Sequence, residues 1–137
     1  MRVETFQPHA TMPFPATFPP DCPLAGAVDC DLTVYLVAKA VPLPASACKT
    51  QAEKGGAPNA TGDAVCMRHG LSVFPSMSEC NHTREILPHL GRLIAKAILT
   101  PNHGKIRATG TRTPGHMTWW PYENIARHTL FELVTEA

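Results

Sequence analysis

The chain has 137 residues, 44% of them hydrophobic and 17% charged, with a formal net charge of +1. These values fit one folded domain and exclude both a uniformly basic, histone-like chain and an acidic nucleic-acid mimic. Twelve Lys plus Arg stand against eleven Asp plus Glu, so any nucleic-acid contact has to come from local rather than total charge.

Six of the fourteen prolines fall within the first 23 residues, together with Phe6, Phe14 and Phe18. Proline fixes φ and removes backbone donors, so residues 1–30 are expected to form an extended arm whose aromatic rings dock on the body. Prolines at 8, 13, 15, 19 and 20 interrupt any continuous apolar region of a secretory signal, and the expected location is the cytoplasm. Residues 31–137 read as a single α+β domain: a small mixed sheet with one main amphipathic helix.

In Asp31 to Lys39, residues Leu32, Val34 and Leu36 lie on one face and Tyr35 and Val37 on the other, which predicts a central strand buried on both sides. No segment approaches the ~20 apolar residues of a membrane-spanning helix. Pro42 and Pro44 end the strand, a short helix is allowed over Ala45 to Lys54, and Cys48 to Gly62 reads as a long surface loop. Ala64 to Phe74, with Gly70 between two apolar stubs, suits a hairpin or bent strand.

From Ser78 to Leu99 the apolar residues Ile86, Leu87, Leu90, Leu93, Ile94, Ala97 and Ile98 recur at three- and four-residue steps and predict the main helix, starting or kinking near Pro88. Lys105 to Arg112 alternates polar and small apolar residues and predicts a half-exposed strand. Pro114-Gly115 is a turn, His116 to Trp120 returns, Pro121 opens a short helix, and His128 to Val134 is a last strand.

Five cysteines at uneven spacings are read by default as free, mostly buried thiols. The alternative is a zinc site built from Cys66, His69, Cys80 and His82, a CxxH pair with Gly70 behind it and a CxH pair at a helix start. This arrangement resembles zinc-ribbon and treble-clef architecture in outline, and implies a zinc-stabilised protein-interaction module. His9-Ala10-Thr11 and His116-Met117-Thr118 resemble the paired HxT motifs of 2H phosphoesterases, which would imply two facing histidines as acid and base. A small Cys/His hydrolase, with Cys80 beside His82, His89 or His116, is a further alternative.

The clearest electrostatic feature is the run from Arg84 to Arg112, with six cations against the single acid Glu85. Arg92, Lys96, Lys105, Arg107 and Arg112 are candidate phosphate contacts. Trp119 and Trp120 follow as candidates for stacking on unpaired bases. The primary expectation is therefore a small cytosolic, non-catalytic binding or regulatory protein without a cofactor. It would contact nucleic acid or a nucleoprotein complex through the basic hairpin, with a protein partner or a homodimer as further options. Such a protein would suit a phage or plasmid as an inhibitor of a host nucleoprotein machine.

Overall fold

A computed structural model describes residues 13–110 and 115–135. The short strand β1 (Val28–Asp29) runs through Cys30 and Asp31 into β2 (Leu32–Ala38). Helix α1 (Asp63–Met67), strand β3 (Leu71–Val73) and helix α2 (Met77–Ile86) follow, and then β4 (Leu93–Leu99), β5 (Gly104–Ala108), β6 (Met117–Pro121) and β7 (Glu132–Leu133). The class is mixed α+β with two small antiparallel sheets, ordered β1-β5-β6-β3 and β2-β4-β7.

The pairing forms a circuit. β1 pairs with β5, β5 with β6 and β6 with β3. A single antiparallel bridge, Tyr35 with Phe74, then leads from the end of β3 to β2, which is continuous with β1. Inside the circuit lies the main core: Val34 and Ala38 of β2, Ala95, Ala97 and Leu99 of β4, Leu71 and Val73 of β3, with Ile106, Trp119 and Phe131. These positions alternate along each strand, so their neighbours point outward. On the outer face of β2 and β4, Ile94, Tyr35 and Val37 meet Phe74, Met77 and Cys80, and this second cluster seats α2.

The expected main helix over 78–99 is corrected by the structure. Ser76 caps α2, its hydroxyl accepting from the Glu79 amide at 3.3 Å. The helix ends at Ile86, a 3-10 turn covers Pro88–Leu90, and Gly91 at φ 141° starts the chain into β4. Leu93, Ala95, Ala97 and Leu99 face the main core while Ile94 faces α2. A period of two was thus hidden inside apparent three- and four-residue steps, because both faces of β4 are apolar.

Other boundaries shift for similar reasons. β2 occupies the predicted position, but it lies at the end of its sheet, and β4 is the middle strand. The segment 64–74 is a helical turn followed by β3 rather than a hairpin, and Ala45–Cys48 is only a 3-10 turn. Pro121 closes β6 instead of opening a helix, and the predicted C-terminal strand is a 3-10 turn at Arg127–Leu130 followed by the two residues of β7.

Residues 1–12 of the expected arm lie outside the described residues. From residue 13 the chain runs over the outer face of the four-stranded sheet. The Glu123 amide donates to the Pro13 carbonyl at 2.9 Å, Phe14 packs on Tyr122 with ring centroids 4.8 Å apart, and Phe18 meets the His69 ring edge at 5.4 Å. A disulfide joins Cys22 to Cys66 at the end of α1. Two of the five thiols expected to be free are therefore paired, while Cys30, Cys48 and Cys80 are free and buried.

Candidate binding cleft

The basic strand is present, but its surroundings differ from the expectation. Lys105 and Arg107 share the outer face of β5, directly opposite Trp120 and Thr118 of β6. Lys105 Nζ lies 3.0 Å from the Asp29 carboxylate, and the Arg107 side chain runs beside Gly26 of the N-terminal segment. Lys96 stands on the other sheet, between Tyr35 and Glu132. Arg92 is exposed just before β4, where its carbonyl accepts from Arg84 at 3.0 Å. Lys105 and Arg107 thus stand on one sheet and Lys96 on the other, with Arg92 just before β4, and Arg112 lies outside the described residues.

Trp119 and Trp120 are corrected as stacking platforms, since both are fully buried. Trp119 faces the core and its indole donates to the His103 carbonyl at 3.0 Å. Trp120 points to the opposite face, where its indole donates to the Cys66 carbonyl at 3.1 Å. A buried indole needs such an acceptor, and both find one in the backbone.

The four proposed zinc ligands do not converge. The Cys66 sulfur is held in the disulfide. Cys80 is buried beneath α2 and His82, two residues further along the helix, is exposed, as expected for positions that point to different sides. His69 is buried against Phe18. Among the described residues no group of three or more His, Cys, Asp or Glu could hold a metal ion.

Nor do the free cysteines offer a nucleophile. Burial pushes the Cys30 thiol up to about 12 and those of Cys48 and Cys80 up to about 11, so all three stay protonated at neutral pH, where thiolate chemistry requires the anion. Of the two HxT segments, His9 lies outside the described residues. His116 Nδ1 lies 3.0 Å from the Thr109 hydroxyl, which in turn lies 2.8 Å from that of Thr118.

The structure brings together a different set of residues. Between β2, β3 and the end of α2 opens a cleft of about 500 Å³. Leu36, Met67, Leu71 and Phe74 supply apolar walls, Leu87 and Leu90 stand at its side, and Ser72, Thr83 and His116 add polar groups. Ile86, Leu87 and Leu90 are exposed large apolar residues, and Leu87 and Leu90 form an apolar lip of the cleft.

Lys49, Gln51 and Lys54 complete the lining, which contains no carboxylate. Their loop is tied to the end of α1: the Arg68 guanidinium donates twice to the Gly56 carbonyl, at 2.6 and 3.0 Å, and the Ala52 amide donates to the Arg68 carbonyl at 2.8 Å. Glu53, the nearest acid in sequence, is not part of the lining and is engaged by Arg127, with oxygens 2.7 and 3.2 Å from its guanidinium. Burial acts to raise the Glu53 pKa, but the bonds from Arg127 and Thr50 outweigh it and hold the carboxyl below its usual range. Among the described residues Lys49 and Lys54 form no ion pair.

Sequence reasoning missed this site because its parts come from five separated segments. The available signals were two lysines in a Gly-rich loop and an apolar stretch continuing past Pro88. No protein-family model, curated protein or solved structure matches the chain.

Proposed function

We propose that the protein is a small non-catalytic binding protein, and that the cleft between β2, β3 and the end of α2 is its contact region for an anionic, partly apolar segment of another protein. The observation that carries this reading is the cleft lining, with apolar walls and lip and, among the described residues, two lysines without ion pairs and no carboxylate. A cleft of this composition favours a ligand with complementary charge and an apolar body. The burial of the free thiols, which raises their pKa, and the disulfide at Cys66 support a binding role over the hydrolase and zinc-module readings.

A nucleic-acid partner would instead draw on Arg92, Lys96, Lys105, Arg107 and Arg112, so one experiment separates the two. Binding of a short fluorescent peptide alternating valine and glutamate, and of a labelled single-stranded oligonucleotide, is measured against salt. The expected result is peptide binding weakened at least about tenfold by the pair Lys49→Glu and Lys54→Glu and unchanged by Arg92→Glu with Arg107→Glu. Oligonucleotide binding that falls steeply with salt and is lost in the arginine variants, with no peptide binding, would overturn it.

A further inference from the structure

In an antiparallel ladder a strand points its backbone groups alternately to its two neighbours. Tyr35 and Phe74 exchange both of their hydrogen bonds, each at 2.8 Å. Val37, two positions along β2, therefore turns its N–H and C=O to the same side as Tyr35. Ser72, two positions back on β3, turns its own toward β2. A regular ladder would pair Val37 with Ser72 next, but the Tyr35–Phe74 bridge is isolated.

Beyond that bridge the two strands part, and Val37 and Ser72 both line the cleft. Among the described residues neither has a hydrogen-bond partner on that side. The cleft is thus an interruption in the strand circuit, with the unpaired backbone groups of Val37 on one bank and of Ser72 on the other. Open edges of this kind recruit another strand.

We propose that the cleft binds its partner by strand addition. An extended segment of another protein pairs with the free edge of β3 at Ser72, facing Val37 of β2. Its side chains alternate, so one row lies on Leu87 and Leu90 while carboxylates on the opposite row reach Lys49 and Lys54. Backbone pairing supplies affinity in this mode and the alternate side chains supply selectivity. An acidic segment is required by the charge of the lining, in which both ionised side chains are lysines. This proposal rests on the cleft being the contact region, and its failure is distinguishable from the failure of that reading.

The test uses the full chain and the same valine/glutamate peptide, with a valine/lysine peptide as its counterpart, followed by amide hydrogen exchange. In the free protein the Val37 and Ser72 amides exchange faster than the neighbouring ladder amides of Leu36 and Val73, and the valine/glutamate peptide protects both. Ser72→Pro removes only the donor facing the cleft, since β6 lies on the other side, and proline is tolerated at such an edge. It weakens the peptide at least about tenfold with the thermal midpoint retained, and the valine/lysine peptide binds more weakly than its counterpart.

Peptide binding that depends on Lys49 and Lys54 but is indifferent to Ser72→Pro overturns strand addition and leaves the contact region standing. Val37 and Ser72 amides as slow in the free protein as their neighbours would mean that the edge is already satisfied, and the proposal fails. Protection that rises with protein concentration alone puts a second copy of the chain on this edge in place of a foreign partner, and overturns the partner assignment.

Discussion

Cysteine shows how one residue type divides by environment. Cys22 and Cys66 are 44 positions apart and become neighbours only because the N-terminal segment crosses the sheet to reach α1. No spacing rule could have paired them, because the pairing is tertiary. The burial expected of the thiols does hold for Cys30, Cys48 and Cys80. Titration with a thiol reagent should accordingly find almost no reaction in the native protein, three thiols after denaturation, and five after denaturation with reduction.

Histidine supplies a second prediction at this scale. Burial lowers the pKa of His116, and His69 and His103 shift in the same direction, chiefly for the same reason. The unfolded chain, with imidazole pKa near 6.5, then takes up protons before the folded one does. The stabilisation is complete above about 6.5 and is lost as pH falls toward the lower folded-state values. The urea midpoint should drop between roughly pH 7 and pH 5, and His116→Gln should reduce that drop without abolishing it, because the other two histidines still titrate.

Among the elements, β2 and β5 were readable from their alternation, whereas of the apolar residues that predicted the helix only Ile86 lies in α2. The remainder was not readable as a strand, since apolar residues on both faces of β4 satisfy a helical step as readily as a strand period. Pro88 and Gly91 were the legible break, and φ 141° at Gly91 makes that break structural. Gly104 does the corresponding work at the start of β5: its φ is 127°, and a Cβ there would press on the Trp120 carbonyl of the paired strand. Gly104→Ala should therefore cost on the order of 3 kcal/mol, seen as a lower unfolding midpoint. A stable variant would show that β5 and β6 can move apart.

At the scale of the molecule, charge statistics were a poor guide to the site. Of the cation-rich run, Arg84 lies on α2, Lys96 on one sheet and Lys105 and Arg107 on the other, with Lys105 engaged by Asp29, whereas the two lysines of the cleft lie in a loop with no local excess of charge. Net charge in a window says nothing about which way side chains face once strands from distant segments pair. The mixed α+β class is present, but the helix period read over 86–98 belongs to a turn and β4 and does not account for it. The circuit was not legible, since it depends on β1 and β2 being one bent strand serving two sheets.

The disulfide reinforces that arrangement by constraining the unfolded chain across 44 positions. Cys22→Ser should lower stability by about 2–4 kcal/mol, and a unchanged midpoint under reducing and non-reducing conditions would show that the bond carries no such constraint. Disulfides persist in oxidising settings, so this cross-link and the cytoplasmic location expected from the proline-rich beginning point in different directions. Among the described residues no helix is long and apolar enough to cross a membrane.

The loop from Gly55 to Gly62 lies between the two bridged cysteines and is largely exposed. A protease that nicked it would leave two fragments still covalently joined, migrating together until a reductant is added. Because the cut falls just beyond Lys54, damage to the rim of the cleft would escape non-reducing electrophoresis and show in the mass of the oxidised chain only as an added water.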